Sequence, residues 1–569
     1  MSLDDDVLGD AETRARIARA RASDATLPAL ARLTTRDFAA LLDARRATPD
    51  APWLIYHGDD GLRRAYTYAD LLSRVAARVR SLLRLGVGRG DRVATLFHND
   101  PEGPLTCFAA WRLGACVVPV NMGEDAERIA FVLEHSEAKA VLYLPEHAGH
   151  AERLRARLPG IAVWAATDAL GEAPRAGDLL SDVAAPEAED EALIVYTSGT
   201  TGAPKGVVLT QQNLLADADC IARWHGIDAG SRLQCVLPIH HVNGLVVTLV
   251  TPLSVGASTV LLRRFQTGSF WRRIAEEGVH VVSVVPTLLA FLLEEEAGTA
   301  GLDLSGFRHL ICGAGPLTVD LARRFEERFG VRIVHGYGLS ETTCYSCFLP
   351  LDLAAAEHAH FMRDFGFPSI GVPVDANEMA IHDAEGNALP AGRRGEIVLR
   401  GVNVMKGYYR RPEANAETFR HGWFRSGDEG FFERDAKGRP FFFITGRIKE
   451  LIIRGGVNLS PFEIDEVLNG IPGVKRGLAV GFENDWYGEE VGAYVQLEPG
   501  VPADAEGILA ACRAKLPFSK APKVVVFGDE IPVTSTGKYQ RGRLRPHFVA
   551  HKGAQFREPK PDRQARGRG

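Results

Sequence analysis

Cysteine is scarce: eight residues in 569 exclude a disulfide-stapled scaffold and fit reduced thiols in a cytoplasmic protein. Only Cys344 and Cys347 have Cys-x-x-Cys spacing. With no second pair and no suitably spaced His, they read as two packed thiols and not as a metal centre. A strong charge bias is missing as well: the net charge is -6 and the pI about 6.3. No long basic stripe occurs outside the C-terminal tail, which argues against a nucleic-acid partner. The N-terminus carries Asp4, Asp5 and Asp6, then Arg14, Arg16, Arg19 and Arg21, without the apolar core of an export signal. Long hydrophobic runs are lacking too. The most apolar region, 244–262, is broken by Pro252, Ser254 and Gly256, so it reads as buried helix, turn and strand, and no integral membrane segment is expected.

What is present is globular composition, 46% hydrophobic and 24% charged, in a chain long enough for three or four domain-sized units. Residues 1–35 are alanine- and arginine-rich and read as a loosely attached extension. Helical spacing over 71–85, a strand at 92–97, a helix at 106–113, a strand at 116–120, a helix from about 126 and a strand at 140–144 then alternate. That alternation predicts a mostly parallel sheet covered on both faces. A Pro/Ala/Gly/acidic connection, 167–190, leads into a second alternating stretch. From 371 to 443 the texture shifts to short strands and turns. Beyond Arg447, Ser460, Pro461 and Glu463 fit an N-cap, first-turn proline and capping-box glutamate. The basic, Pro/Gly-rich tail, 551–569, reads as disordered.

The densest chemical signal lies at 196–206, Tyr-Thr-Ser-Gly-Thr-Thr-Gly-Ala-Pro-Lys-Gly. An apolar strand breaks into Thr197, Ser198, Gly199, Thr200, Thr201 and Gly202, whose backbone N–H groups and hydroxyls suit phosphate oxygens. Lys205 then places an ammonium beside the outer phosphates before apolar strand character resumes at 207–209. A plain glycine-rich hairpin is the alternative. A Walker loop is excluded, because Gly206 and not Ser or Thr follows Lys205.

This order of residues resembles the signature of the adenylate-forming superfamily, which includes acyl-CoA synthetases, peptide-synthetase adenylation domains and luciferases. Further motifs follow in that superfamily's order, over roughly residues 35–550. Gly313-Ala314-Gly315 stands where small residues border adenine. Tyr337-Gly338-Leu339-Ser340-Glu341 is similar to Tyr-Gly-x-Thr-Glu, in which the resemblance implies that Tyr337 stacks on adenine and Glu341 holds Mg²⁺, a cation that takes hard oxygen ligands. Ser426-Gly427-Asp428 implies a carboxylate on the ribose hydroxyls, and Arg447 a ribose or phosphate contact. Lys449 stands at the hinge between the large and small domains. Lys538, in Ser-Thr-Gly-Lys, implies the lysine that bridges the acyl carboxylate and the α-phosphate. His241 corresponds to a residue that gates or lines the acid pocket, for which Val242, Gly244, Leu245, Val285, Tyr345 and Cys347 suggest an uncharged, mainly apolar lining. Gly455 and Gly456, before Asn458, leave room for a pantetheine arm and favour the CoA-ligase branch.

The expected fold is α/β: a large N-terminal region of two α/β subdomains plus a small β-rich subdomain, followed by a small mobile α+β C-terminal domain. The expected boundaries are 36–446 for the large AMP-binding domain and 447–550 for the small one. The expected activity is an ATP- and Mg²⁺-dependent carboxylic acid–CoA ligase, most like an acyl-CoA synthetase. Two alternatives stay open: a ligase loading an acyl-carrier protein, and a catalytically silent nucleotide-binding or scaffold protein. The acid and the oligomeric state are not legible.

Overall fold

The computed structural model describes residues 7–170, 180–197, 204–296, 298–533 and 539–557. Among them, two large sheets carry the N-terminal region. One has seven strands in the order Gly407–Tyr408, Lys205–Thr210, Glu191–Thr197, Cys116–Pro119, Arg92–Leu96, Ala140–Tyr143 and Val163–Ala166. Its five strands from Glu191–Thr197 to Val163–Ala166 are parallel, while the two at the other edge pair antiparallel. The other sheet has nine strands, of which Ile333–Tyr337, His309–Cys312, Val281–Val284, Arg232–Cys235, Ser258–Leu262 and Pro52–His57 run parallel in that order. Strands such as Val281–Val284 are buried at every position, as expected where helices cover both faces of a parallel sheet.

Local signals explain the helices. Thr67 and Asp70 form a reciprocal capping box at the start of Tyr68–Arg84, which satisfies two of the orphan N–H groups of the first turn. Thr210 and Asn213 do the same for Gln211–Trp224. The 244–262 region is resolved as a π-helix, Asn243–Val250, a short α-helix, Thr251–Val255, a left-handed Gly256 and the strand Ser258–Leu262. No helix among the described residues is long and apolar enough to cross a membrane.

A four-stranded antiparallel sheet, Asn377–His382, Gly395–Gly401, Phe424–Arg434 and Pro440–Arg447, follows. The chain then passes through a 3₁₀ turn, Ile448–Glu450, into a five-stranded mixed sheet with the helices Pro461–Asn469 and Ala505–Lys515. Ser460 caps Pro461–Asn469 by accepting from the Glu463 N–H. The Glu463 carboxylate, however, pairs with Lys520 Nζ at 2.8 Å instead of closing the expected capping box, because an ammonium competes better than a neutral N–H for a charged acceptor.

Two terminal expectations are corrected. The first 35 residues are not loosely attached over their described part. The helix Ala11–Arg21 buries Ile17 and Ala20, Arg21 pairs with Glu189 at 2.8 Å, and the Leu8 carbonyl accepts from Asn415 Nδ2 at 3.2 Å. The tail does not come free at 551 either: the Lys552 carbonyl accepts from Asp485 N at 3.0 Å and from Asn484 Nδ2 at 3.1 Å. Residues 558–569 lie outside the described residues.

Candidate active site

Three parallel strands deliver the site. Val281–Val284, His309–Cys312 and Ile333–Tyr337 lead at their carboxyl ends into Pro286, Gly313–Gly315 and Gly338–Glu341. Open α/β sheets bind ligands in the crevice beyond these ends. Packing selects glycine there: a Cβ on Gly313 would lie 2.6 Å from Tyr345 Oη, and one on Gly338 would lie 1.8 Å from the Cys344 carbonyl oxygen. Ala314 breaks the rule for its conformation, with φ +63°, a left-handed value that costs an L-residue roughly 1–2 kcal/mol. Ala314→Gly is therefore expected to stabilise the large domain by about 1 kcal/mol, read as a higher urea midpoint. An unchanged or lower midpoint would show that the turn carries no strain.

The cleft has two lobes. A cavity of about 270 Å³ is lined by Ala314, Gly315, Tyr337, Gly338, Asp428 and Arg447, among others. Asp428, 3% exposed, accepts from Tyr337 Oη at 2.7 Å through Oδ2 and pairs with Arg447 Nε at 3.1 Å through Oδ1. Burial, with Asp428 next to it, pushes the Tyr337 hydroxyl well above its ordinary pKa. The Asp428 charge holds Arg447 firmly protonated. Each carboxylate oxygen keeps a further lone pair for a hydroxyl.

The second lobe, of about 2080 Å³, is lined by Thr197, Lys205, His241, Ser340, Glu341 and Lys449 and shares Ala314, Gly338 and Arg447 with the first. Strand pairing sets Thr197 opposite Lys205, the residues on either side of the glycine-rich stretch. Ser198, Gly199, Thr200, Thr201 and Gly202 lie outside the described residues, as does Lys538. Its neighbours Val533 and Tyr539 bridge one another and line the lobe. Arginine and lysine outnumber glutamate in this lining, although the whole chain is net acidic. The cleft is thus suited to a polyanion.

Tyr408 is the residue that sequence reasoning missed. Its hydroxyl donates to Glu341 Oε1 at 2.8 Å, and Lys205 Nζ lies over its ring, 4.7 Å from the centroid. It sits on the two-residue edge strand Gly407–Tyr408, paired to Val207, two hundred residues beyond the lysine it supports. The available signal was the aromatic pair Tyr408-Tyr409 after a glycine.

Two expectations are not met by this arrangement. Gly455 and Gly456 form a hairpin tip with φ +57° and +82°, exposed and absent from the cleft lining. Of the six residues expected in an apolar acid pocket, Val242, Val285 and Tyr345 line the cleft, whereas Gly244, Leu245 and Cys347 are buried behind it. Gly244 is held there by packing, because a Cβ would meet the Pro238 carbonyl at 2.5 Å.

Residues 41–409 match the model of the AMP-binding enzyme family, and 463–538 match that of the AMP-binding enzyme C-terminal domain. This chain belongs to the AMP-binding enzyme family. It is similar to the sulfoacetate–CoA ligase of Cupriavidus necator, 36% identical over 90% of this chain and 97% of that protein. It is also similar to the feruloyl-CoA synthase of an Amycolatopsis species, 34% identical over 88% and 97%. Among solved structures, ATP-bound MatB from Rhodopseudomonas palustris superposes with a TM-score of 0.80 at 27% identity, covering 90% of this chain and 99% of that one. The o-succinylbenzoate CoA synthetase from Bacillus subtilis, in complex with its acyl-adenylate, gives 0.76 at 28% identity, covering 92% and 99%. This AMP-binding enzyme is therefore matched along both its large and small domains.

Proposed function

We propose that the protein is an AMP-forming acid–CoA ligase: a carboxylate attacks the α-phosphate of ATP to give acyl-AMP and pyrophosphate, and the CoA thiol then displaces AMP. The observation that carries this reading is one continuous cleft in which Lys205, Tyr408 and Glu341 stand beside the Tyr337, Asp428 and Arg447 cluster. The named CoA ligases among its relatives support it. Adenylation makes AMP the leaving group in place of hydroxide, and carboxylate attack requires no proton removal, so His241 serves to line the acid's path. Asp428 receives the ribose hydroxyls, Tyr337 and the Gly313–Gly315 turn border adenine, and Lys205 with Arg447 neutralises phosphate charge.

Glu341 suits Mg²⁺ on donor chemistry. Tyr408 occupies Oε1 and leaves Oε2 as a hard anionic donor, and Mg²⁺ is commonly held by one or two carboxylates plus phosphate oxygens. When bound, the ion would offset charge on the phosphates. Eight free, buried cysteines support the cytoplasmic reading. The test is acid-dependent exchange of labelled pyrophosphate into ATP, followed by thioester formation with and without CoA. Acyl-AMP that a phosphopantetheinylated carrier protein consumes, and CoA does not, would move the assignment to the carrier-loading alternative. Nucleotide binding with no exchange for any acid would leave a silent nucleotide-binding protein.

The small domain's docking should depend on pH. Glu466 Oε1 accepts from Asp320 N at 3.2 Å, at the N-terminus of the large domain's helix Val319–Phe329. Burial is the main cause that raises its pKa from 4.5 to about 7. A carboxyl whose pKa is raised on docking favours the docked pose fully below about 4.5, and that contribution is lost as pH rises through about 7. Glu466→Gln should therefore flatten the pH dependence of interdomain distance between those limits, measured by fluorescence transfer. An unchanged pH profile would remove Glu466 from the docking contact.

A further inference from the structure

The acid end of the cleft is closed by hydrogen-bonding groups. Asn243 begins the π-helix Asn243–Val250, a geometry that often marks functional sites, and lines the cleft together with Tyr345. Its Oδ1 accepts from Ser283 Oγ at 2.6 Å, and its Nδ2 donates to Tyr345 Oη at 3.2 Å. These two bonds use the Asn243 carbonyl, the Ser283 hydroxyl proton and one amide N–H. A primary amide carries two N–H donors. The second Nδ2–H has no acceptor among the described residues, and a buried donor left unmatched is costly.

The space behind this floor is filled. Tyr345 is 2% exposed, its ring lies 4.4 Å from that of Phe348, and Gly313 sits directly against its hydroxyl. No channel for a long alkyl chain continues past it among the described residues. At the side, His240 lines the cleft with its ring 4.3 Å from that of His241, and its shielded Nε2 has no partner among the described residues.

We propose that the acid taken by this site is small and ends in a hydrogen-bond acceptor, which the spare Nδ2–H of Asn243 receives while Ser283 and Tyr345 hold the amide in place. The proposal rests on the acid-activating reading above and narrows it to a substrate class. A site built to donate to a substrate oxygen discriminates strongly against an analogue lacking it, because its donor is then stranded.

The experiment is pyrophosphate exchange over substituted acetates of similar size: propanoate with a methyl end, glycolate with a hydroxyl, and malonate and sulfoacetate with anionic ends, plus octanoate and benzoate. At least one acceptor-ended acid should exceed propanoate in kcat/KM by on the order of 10²-fold, with octanoate poorest. The hydroxyl and anionic arms separate a neutral from a charged acceptor. In Asn243→Ala that ratio should collapse by on the order of tenfold or more, and Asn243→Asp should penalise the anionic acids further through like charge. Each ratio is taken within one preparation, so a partly unfolded variant does not move it. Preference for propanoate or octanoate, or an unchanged ratio in Asn243→Ala, overturns the proposal while leaving acid activation standing. No exchange with any acid sinks both.

Discussion

Glu341→Gln should lower acid-dependent pyrophosphate exchange by on the order of 10²-fold, the usual scale for losing one charge contact in a transition state. The substitution keeps the side chain's length and can keep the hydrogen bond to Tyr408, which is 2.8 Å in the wild type. What it removes is the anionic oxygen that, in the proposed reaction, would face the phosphates. The loss should be partly recovered by raising Mg²⁺, because a neutral amide oxygen is a weaker version of the same hard donor. Tyr408→Phe is the informative companion. It leaves the carboxylate in place but frees it to rotate, so exchange should fall less than in Glu341→Gln. Wild-type exchange in Glu341→Gln would take that residue out of the site.

The contrast between these two residues shows which parts of the candidate site leave a pattern in the sequence. Glu341 lies in a contiguous motif, Tyr337 to Glu341, because one strand end and one turn build its surroundings, and such local constraint leaves an unbroken pattern. The same holds for Asp428 and Arg447, which adjacent antiparallel strands place opposite one another. Tyr408 is different: it reaches Glu341 from an edge strand on another sheet, and nothing in its immediate neighbours encodes that meeting. The floor of the proposed acid pocket is less legible still. Tyr345 is among the residues expected there from sequence, whereas Asn243 and Ser283, on a π-helix and inside a strand, stand among apolar neighbours such as Val242 and Val284 that give no sign of a polar floor. The alternation of strands and helices did announce the two large sheets. It could not show that residues 11–32, weakly patterned and arginine-rich, are pinned by partners as distant as Glu189 and Asp375.

Lys538→Ala and Lys449→Pro should fail in opposite half-reactions. We propose that the small domain works in two positions, because acyl-AMP formation requires a cation at the α-phosphate while thioester formation requires that a thiol reach the same carbonyl. The arrangement described here supports the first position: Val533 and Tyr539, which flank Lys538, line the cleft, whereas Gly455 and Gly456 are exposed outside it. For the second step the glycine hairpin would have to exchange places with the face that carries Val533 and Tyr539, and the connection available to turn is the 3₁₀ segment Ile448–Glu450. Hinges absorb such motion in a few backbone dihedrals. Proline fixes φ near about -65°, within the range of a 3₁₀ turn, so Lys449→Pro is compatible with the present position at residue 449 and resists leaving it, at some strain on Ile448. That variant should form acyl-AMP at a rate near wild type and convert it to thioester slowly. Lys538→Ala should lose acyl-AMP formation by on the order of 10²-fold or more, since an ammonium stabilises the charge gathering on a pentavalent phosphorus more than it stabilises the ground state. Because its backbone remains free to turn, it should still convert supplied acyl-AMP to acyl-CoA. Measuring both half-reactions in both variants decides the matter: impairment of transfer alone in Lys538→Ala, or wild-type rates for both steps in Lys449→Pro, would leave the two-position mechanism without support in this protein.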